Sequence, residues 1–246
     1  MTRSSSTPAR LDGLDVMVRA WGLMALFTRP ELRVQRVSYP LITPSAATGL
    51  LDCVYWKPEL EYRIQRLGVV RQGSTMQLMR NELGDRQGEQ PPTVQPPRQQ
   101  RNSVVLTDVE YLIHVRVFAR FGRGAPEAMK HANILRERLE KGQRFRTPYL
   151  GTRECLANVE LAPSDAAPDD TLSLNVGTML FGTAYLPDPY GPVAAKQHRN
   201  HQGRNQGVVK RLTPVPLYME DAQVRHGWLN VPQELYLRLN HLEGRS

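Results

Sequence analysis

The sequence predicts an α+β protein in which an antiparallel sheet is backed by two helices. Three observations carry that expectation. Apolar and polar residues alternate through several short segments, the period of a strand with one buried face. Two longer segments repeat apolar residues at helical spacing, each with start and stop signals. In chain order these elements run strand, helix, strand, strand, helix, strand.

The first strand is set by Leu14, Val16, Val18 and Ala20, which alternate with Asp15, Met17 and Arg19. An arginine-rich stretch with Arg29, Arg33 and Arg36 follows. Thr43 and Pro44 then open a helix, the first as a cap and the second at the first helical position. It is expected to run to about Lys57 and to stop before Pro58. Ala46, Ala47, Leu50, Leu51, Val54 and Trp56 make it apolar nearly all round, so it is a buried helix. Gly49 in its middle suggests a close approach by another backbone. A second strand covers about 61–71, with Tyr62 and Ile64 facing one way and Gly68 marking a bulge. Segment 84–102, with four prolines and five glutamines and no hydrophobic period, is expected to be a long mobile loop.

The third strand is the clearest. Val109, Tyr111, Ile113, Val115, Val117 and Ala119 share one face. Glu110, His114, Arg116 and Arg120 share the other with Leu112 and Phe118, a mixture that suits stacked bases and phosphates. Pro126 opens the second helix, with Glu127 in its first turn, Lys141 in its last and Gly142 as its cap. Its core stripe is Ala128, Ala132, Leu135 and Leu139. A fourth strand is expected at about 154–161, with Cys155, Ala157, Val159 and Leu161 on one side.

This βαββαβ order is that of the ferredoxin-like frame, which RNA-recognition motifs also use. The expected organisation is a flexible tail over 1–12, the frame over 13–162, and a C-terminal β-rich subdomain over 163–246. The last is read as a smaller antiparallel sheet with strands at 172–181, 213–219 and 224–231.

Composition narrows the function. The chain has 246 residues, 40% hydrophobic and 23% charged, enough for one large domain or one of ordinary size and a smaller one. No apolar run is long enough to span a membrane, no secretory signal is visible, and a cytoplasmic location is expected. Cys53 and Cys155 read as buried hydrophobes of a reducing compartment. Net charge is +8, and 27 of the 32 basic residues are arginine. Arginine's planar fork suits phosphate and base stacking, so nucleic acid is the expected partner. Arg144, Arg146 and Arg153 are candidate contacts, as are Lys196, Arg199 and Arg204, which lie between Asp188 and Glu220 with no acidic residue among them. No phosphate loop, paired cysteine motif, zinc-protease motif or two-metal carboxylate cluster occurs, so no metal and no cofactor is expected.

Lys130 and His131 sit on the second turn of the second helix, and Tyr55 ends the first. A histidine, a lysine and a tyrosine together can cleave RNA without metal. One takes the proton of a ribose 2′-OH, another protonates the departing 5′-oxygen, and the cation stabilises the phosphorane. Spacing alone also allows a polar helix face and an interfacial tyrosine.

A resemblance sharpens this reading. The run from Trp21 to Tyr55-Trp56-Lys57-Pro58 is similar to the N-terminal region of the Cas five family, Dvulg subtype. Further matches are Arg80-Asn81-Glu82, Lys130-His131, Lys141-Gly142-Gln143, Phe145, Pro148 to Gly151 and Arg153-Glu154-Cys155. Gly177 to Leu180 and Gly227 to Pro232 also fit, so most of the chain is covered. The resemblance implies an RNA-recognition-motif-like frame with an added sheet, and a subunit of the type I-C effector complex, Cascade. It implies an endoribonuclease that cleaves the repeat hairpins of CRISPR precursor RNA and stays on the 5′ handle of the mature guide RNA. The implied catalytic residues are Tyr55, Lys130 and His131, and the implied partners are the backbone and large subunits. Two alternatives remain open: a handle-binding subunit that does not cut, and a less specific protein that binds or nicks duplex DNA.

Overall fold

The computed structural model describes residues 14–32, 34–83, 98–120, 124–187 and 212–244. Its elements are β1 (Leu14–Ala25), β2 (Arg36–Val37), α1 (Pro44–Val54), β3 (Leu60–Arg71), β4 (Ser74–Leu83) and β5 (Arg98–Ala119). Then come α2 (Gly124–Glu140), β6 (Asn158–Leu161), β7 (Leu174–Pro187), β8 (Leu212–Arg225), β9 (Trp228–Asn230) and α3 (Glu234–Leu242). The protein is mixed α/β and mostly strand, with the strands in one curled sheet.

The sheet runs β6-β1-β5-β3-β9-β8-β7, every neighbour antiparallel. Pairing preserves the side-chain alternation read in the sequence, because directly opposed residues share a face. Val16 lies opposite Val115 and Val18 opposite Ile113, and all four are buried. Asp15 lies opposite Arg116, on the other face. Leu50, Leu51, Ala132, Leu135 and Leu139 from the two helices join the buried sheet residues in one hydrophobic cluster.

Local signals account for the helices. Thr43 Oγ1 accepts from the Ala46 amide at 3.2 Å, and Pro44 occupies the first turn. The helix stops at Val54, short of the expected Lys57, because Tyr55 is extended at φ −149°. A Cβ built at Gly49 would meet nothing within 4 Å, so no backbone approach explains that glycine. At the end of α2, Gly142 has φ +63° and the Gln143 amide donates to the Arg138 carbonyl at 2.8 Å.

Further expectations are corrected. The C-terminal strands do not form a separate smaller sheet. β9 pairs with β3, and β8 and β7 extend the same sheet. Gly68 permits this junction: a Cβ there would stand 2.9 Å from the Trp228 ring. The bulges flank it, at Ile64/Arg66 and Val69/Arg71. Residues 98–102 of the expected loop are strand, because β4 and the start of β5 form a long hairpin. With most of β4 exposed, no hydrophobic alternation marks it in the sequence. The strand expected at 154–161 shrinks to β6, with Cys155 and Ala157 buried ahead of it. The tail 1–12 and residues 84–97 of the expected loop lie outside the described residues. Among the described residues, no helix is long and apolar enough to cross a membrane.

Candidate active site

The early end of α1 builds the site. Because Tyr55 is extended rather than helical, its ring leaves the helix axis and crosses to α2. Three hydrogen bonds hold that bend. The Tyr55 amide donates to Leu51 O at 3.0 Å, Tyr62 Oη donates to Tyr55 O at 2.7 Å, and Arg138 Nη1 donates to Val54 O at 2.9 Å. The Arg138 guanidinium also stands 5.0 Å from the centre of the Tyr55 ring.

Tyr55 Oη and His131 Nδ1 are 2.8 Å apart, across 76 residues of chain. Their rings tilt at 39° with centres 5.8 Å apart. His131 belongs to the buried stripe of α2, and only 2% of it is exposed; Tyr55 is equally covered at 3%. The other ring nitrogen, Nε2, is buried without a hydrogen-bond partner, and Glu127 Oε1 lies 3.6 Å from it. The same carboxylate oxygen accepts from Lys130 Nζ at 3.1 Å. Lys130 itself is exposed.

Burial dominates the electrostatics. It holds the His131 pKa below the ordinary 6.5, while Glu127 and Glu59 push it up and Lys130 and Lys57 push it down. Burial also raises the Tyr55 hydroxyl, against the opposing charge of Arg138. At neutral pH the pair is therefore a neutral imidazole against a neutral phenol. That arrangement can pass a proton in either direction. No group of three His, Cys, Asp or Glu placed to hold a metal ion occurs among the described residues.

The structure thus brings Tyr55 and His131 into contact and links Lys130 to His131 through Glu127. The basic candidates are scattered by comparison. Arg29 lies 4.5 Å from the Tyr39 ring centre and 3.8 Å from Glu31. Arg36 is half-buried in β2. Arg116 is held by both oxygens of Asp15, at 2.8 and 2.9 Å. Arg144, Arg146 and Arg153 are exposed, and the amide of Arg146 donates to Cys53 O beside the end of α1. Arg33, Lys196, Arg199 and Arg204 lie outside the described residues.

A family profile described as CRISPR-associated protein (Cas_Cas5) matches residues 15–214. The chain belongs to that Cas5 family. It is 44% identical over 226 residues to the CRISPR pre-crRNA endoribonuclease Cas5d of Thermus thermophilus, covering 92% of this chain and 95% of that one. It is 35% identical over 174 residues to the Cas5d of Mannheimia succiniciproducens, with 64% and 77% covered. Two solved structures share the fold at a TM-score of 0.58. One is a CRISPR-associated protein, 23% identical, with 89% of this chain and 92% of that one covered. The other is a functionally uncharacterized protein from Streptococcus mutans, 21% identical, with 90% and 94% covered.

Two residues of this candidate site are not among those the sequence marks as catalytic. Glu127 stands three residues before Lys130 and four before His131, a spacing that places all three on one helix face, and that signal was available. Arg138 had none, because its contact depends on where α1 ends.

Proposed function

We propose that the protein is a metal-independent endoribonuclease of CRISPR precursor RNA. It cleaves the repeat hairpin and remains on the 5′ handle of the guide RNA as a cytoplasmic subunit of the type I-C effector complex. The observation that carries this is the 2.8 Å contact between Tyr55 and His131. It stands in a chain that matches a pre-crRNA endoribonuclease over nearly its whole length.

The chemistry follows from the groups present. The 2′-oxygen attacks phosphorus and gives up its proton to the Tyr55–His131 pair. The bond to the 5′-oxygen breaks as the pair passes a proton to that oxygen, which leaves the pair as it began. The products are a 2′,3′-cyclic phosphate and a 5′-hydroxyl. The Lys130 ammonium offsets the charge that builds on the phosphorane. Lys130 is 62% exposed on its side chain, so it is the first of the three to meet phosphate. Tyr55 and His131 are covered in the free chain, and hairpin engagement must uncover them.

The RNA-handling part is residues 13–162, read as a ferredoxin-like frame. The strand order β6-β1-β5-β3 with α1 and α2 as crossovers supports it. Residues 163–246, read as the C-terminal β-rich subdomain, carry β7, β8 and β9 among the described residues, strands suited to contacts with neighbouring backbone and large subunits. One observation favours a second reading, a handle-binding subunit that does not cut: the 2% exposure of His131.

The deciding experiment incubates repeat RNA with pure protein in EDTA. Cutting is expected, with a cyclic phosphate end, and a 2′-deoxy residue at the cut should abolish it while binding persists. Cutting of the deoxy substrate would overturn the mechanism. Binding without any cutting would favour the second reading. Equal competition by random duplex DNA would point to a general nucleic-acid binder.

A further inference from the structure

The site holds a side chain that the proposed chemistry does not use. Glu127 presents one oxygen, Oε1, to two groups, Lys130 Nζ at 3.1 Å and His131 Nε2 at 3.6 Å. Nε2 is buried and has no hydrogen-bond partner, and Nδ1 on the other side of the ring is taken by Tyr55. A neutral imidazole carries one proton, and a carboxylate favours the tautomer whose N–H faces it. With that proton on Nε2, the Nδ1 lone pair is left to accept from Tyr55 Oη. The burial of the ring strengthens this preference, because little water competes for either nitrogen.

We propose that Glu127 is a positioning residue for RNA cleavage, one that exchanges its partner when substrate binds. In the free protein Oε1 holds the Lys130 ammonium, and 3.6 Å is too long for a hydrogen bond to Nε2. When a phosphate draws Lys130 away, Oε1 is released and closes on Nε2–H. The imidazole then becomes a stronger base at the moment the 2′-OH is in place. The inference rests on the assignment of Tyr55, Lys130 and His131 to cleavage.

The groups facing His131 are Tyr55 from the end of α1, Lys57 and Glu59 from the segment before β3, and Glu127 and Lys130 from α2; Arg138 of α2 faces the Tyr55 ring. Glu127 and Glu59 favour the charged imidazole, whereas Lys130 and Lys57 disfavour it. Removing the Glu127 charge should therefore lower the pH at which His131 titrates.

The test is Glu127→Gln in single-turnover cleavage of the repeat hairpin from about pH 5 to about pH 8, the range in which histidine titrates. The plateau rate should fall about 10–100-fold, the loss typical of a group that orients a histidine ligand. The acid limb should move to lower pH, and a 2′-deoxy hairpin should bind as tightly as before or more tightly, since Lys130 is freed. Glu127→Asp, which keeps the charge, should return the limb toward the wild-type position. A residue that only supported the fold would lower rate and binding together and leave the limb in place. That result, or a wild-type rate and limb in Glu127→Gln, overturns the proposal. A measurement on the unaltered protein serves where the variant does not fold: nitrogen-15 shifts of His131 should report the proton on Nε2, and a proton on Nδ1 overturns the proposal. If His131→Ala cleaves as well as wild type, the assignment of the site fails rather than the role of Glu127 alone.

Discussion

The junction of α1 and α2 and the outer face of the sheet are both rich in charge, yet they place it differently. On the outer face several arginines meet acids, most of them across the strands. Arg19 reaches Glu110 at 2.7 Å and Glu160 at 3.0 Å, Arg71 reaches Glu110 at 3.2 Å, and Arg63 pairs with Glu61 at 2.9 Å. Asp15 takes Arg116 with both oxygens. Guanidiniums also lie over rings, Arg63 on Phe118 at 4.4 Å and Arg66 on Trp228 at 3.9 Å. At the helix junction the polar groups outnumber their partners: His131 Nε2 has none, and Lys130 shares a single carboxylate oxygen with it. The comparison teaches that the count of arginines overstates the surface offered to RNA. Paired arginines hold strands in register. Unsatisfied nitrogens occur in both regions, at Arg66 Nε and His114 Nδ1 on the sheet and at His131 Nε2 in the junction, and only the last lies beside a tyrosine, a lysine and a carboxylate.

The contrast is broken most directly at the junction. His131→Ala should slow cleavage about 10²–10⁴-fold, the usual worth of general acid–base help, with hairpin affinity retained. Tyr55→Phe keeps the ring and its packing and should also lose rate rather than binding. Single-turnover rates and a filter-binding isotherm measure both; full activity in His131→Ala would remove the junction as the active site.

A smaller loss is expected from Lys130→Ala, about 10²–10³-fold in rate with a modest loss of affinity, because its charge meets phosphate before as well as during reaction. A loss confined to affinity would make Lys130 a binding group only.

The stability of the junction supplies the third test. Asp52, on α1, has its pKa pushed up from 3.8 to about 6 by burial, against the opposing charges of Arg146 and Arg120. A raised folded pKa means that its contribution is present below the unfolded value and is lost as pH rises through about 6. Asp52→Asn should therefore stabilise the protein at pH 8 relative to pH 4 by roughly 2 kcal/mol, given 1.36 kcal/mol per unit. Urea melts at the two pH values check this, and an equal effect at both would show that the carboxylate is solvated.

The smallest effects separate paired from exposed arginines. Arg144→Ala or Arg153→Ala should each lower the magnitude of the log–log salt slope of hairpin binding by about 0.7–0.9, the share of one phosphate contact. Arg116→Ala should leave the slope nearly unchanged, because Asp15 already occupies that guanidinium. A full phosphate's share lost in Arg116→Ala would mean that RNA displaces the aspartate.

Much of this was legible in the sequence because it depends on neighbours along the chain. Alternation in β1, β3 and β5 and the stripe of α2 follow from periods of two and 3.6 residues, and Thr43, Pro44 and Gly142 are signals read within one turn. Lys130, His131 and Tyr55 were visible as residues capable of the chemistry. Their meeting was not, since Tyr55 and His131 are 76 residues apart and touch only because α1 unwinds at Tyr55. The hairpin of β4 and β5 was hidden because most of β4 is exposed and carries no apolar period.

By itself, then, the sequence determined the elements of the frame, the apolar face of each and the residue types able to move a proton on RNA. These follow from local sterics and from burial of one side of each element. The tertiary structure decided what no local rule contains. It joined the C-terminal strands to the same sheet through Trp228 on Gly68, matched the outer arginines to acids on other strands, and gave one oxygen of Glu127 to both Lys130 and His131. Each of those outcomes depends on distances between segments far apart in sequence, and only the packed chain sets such distances.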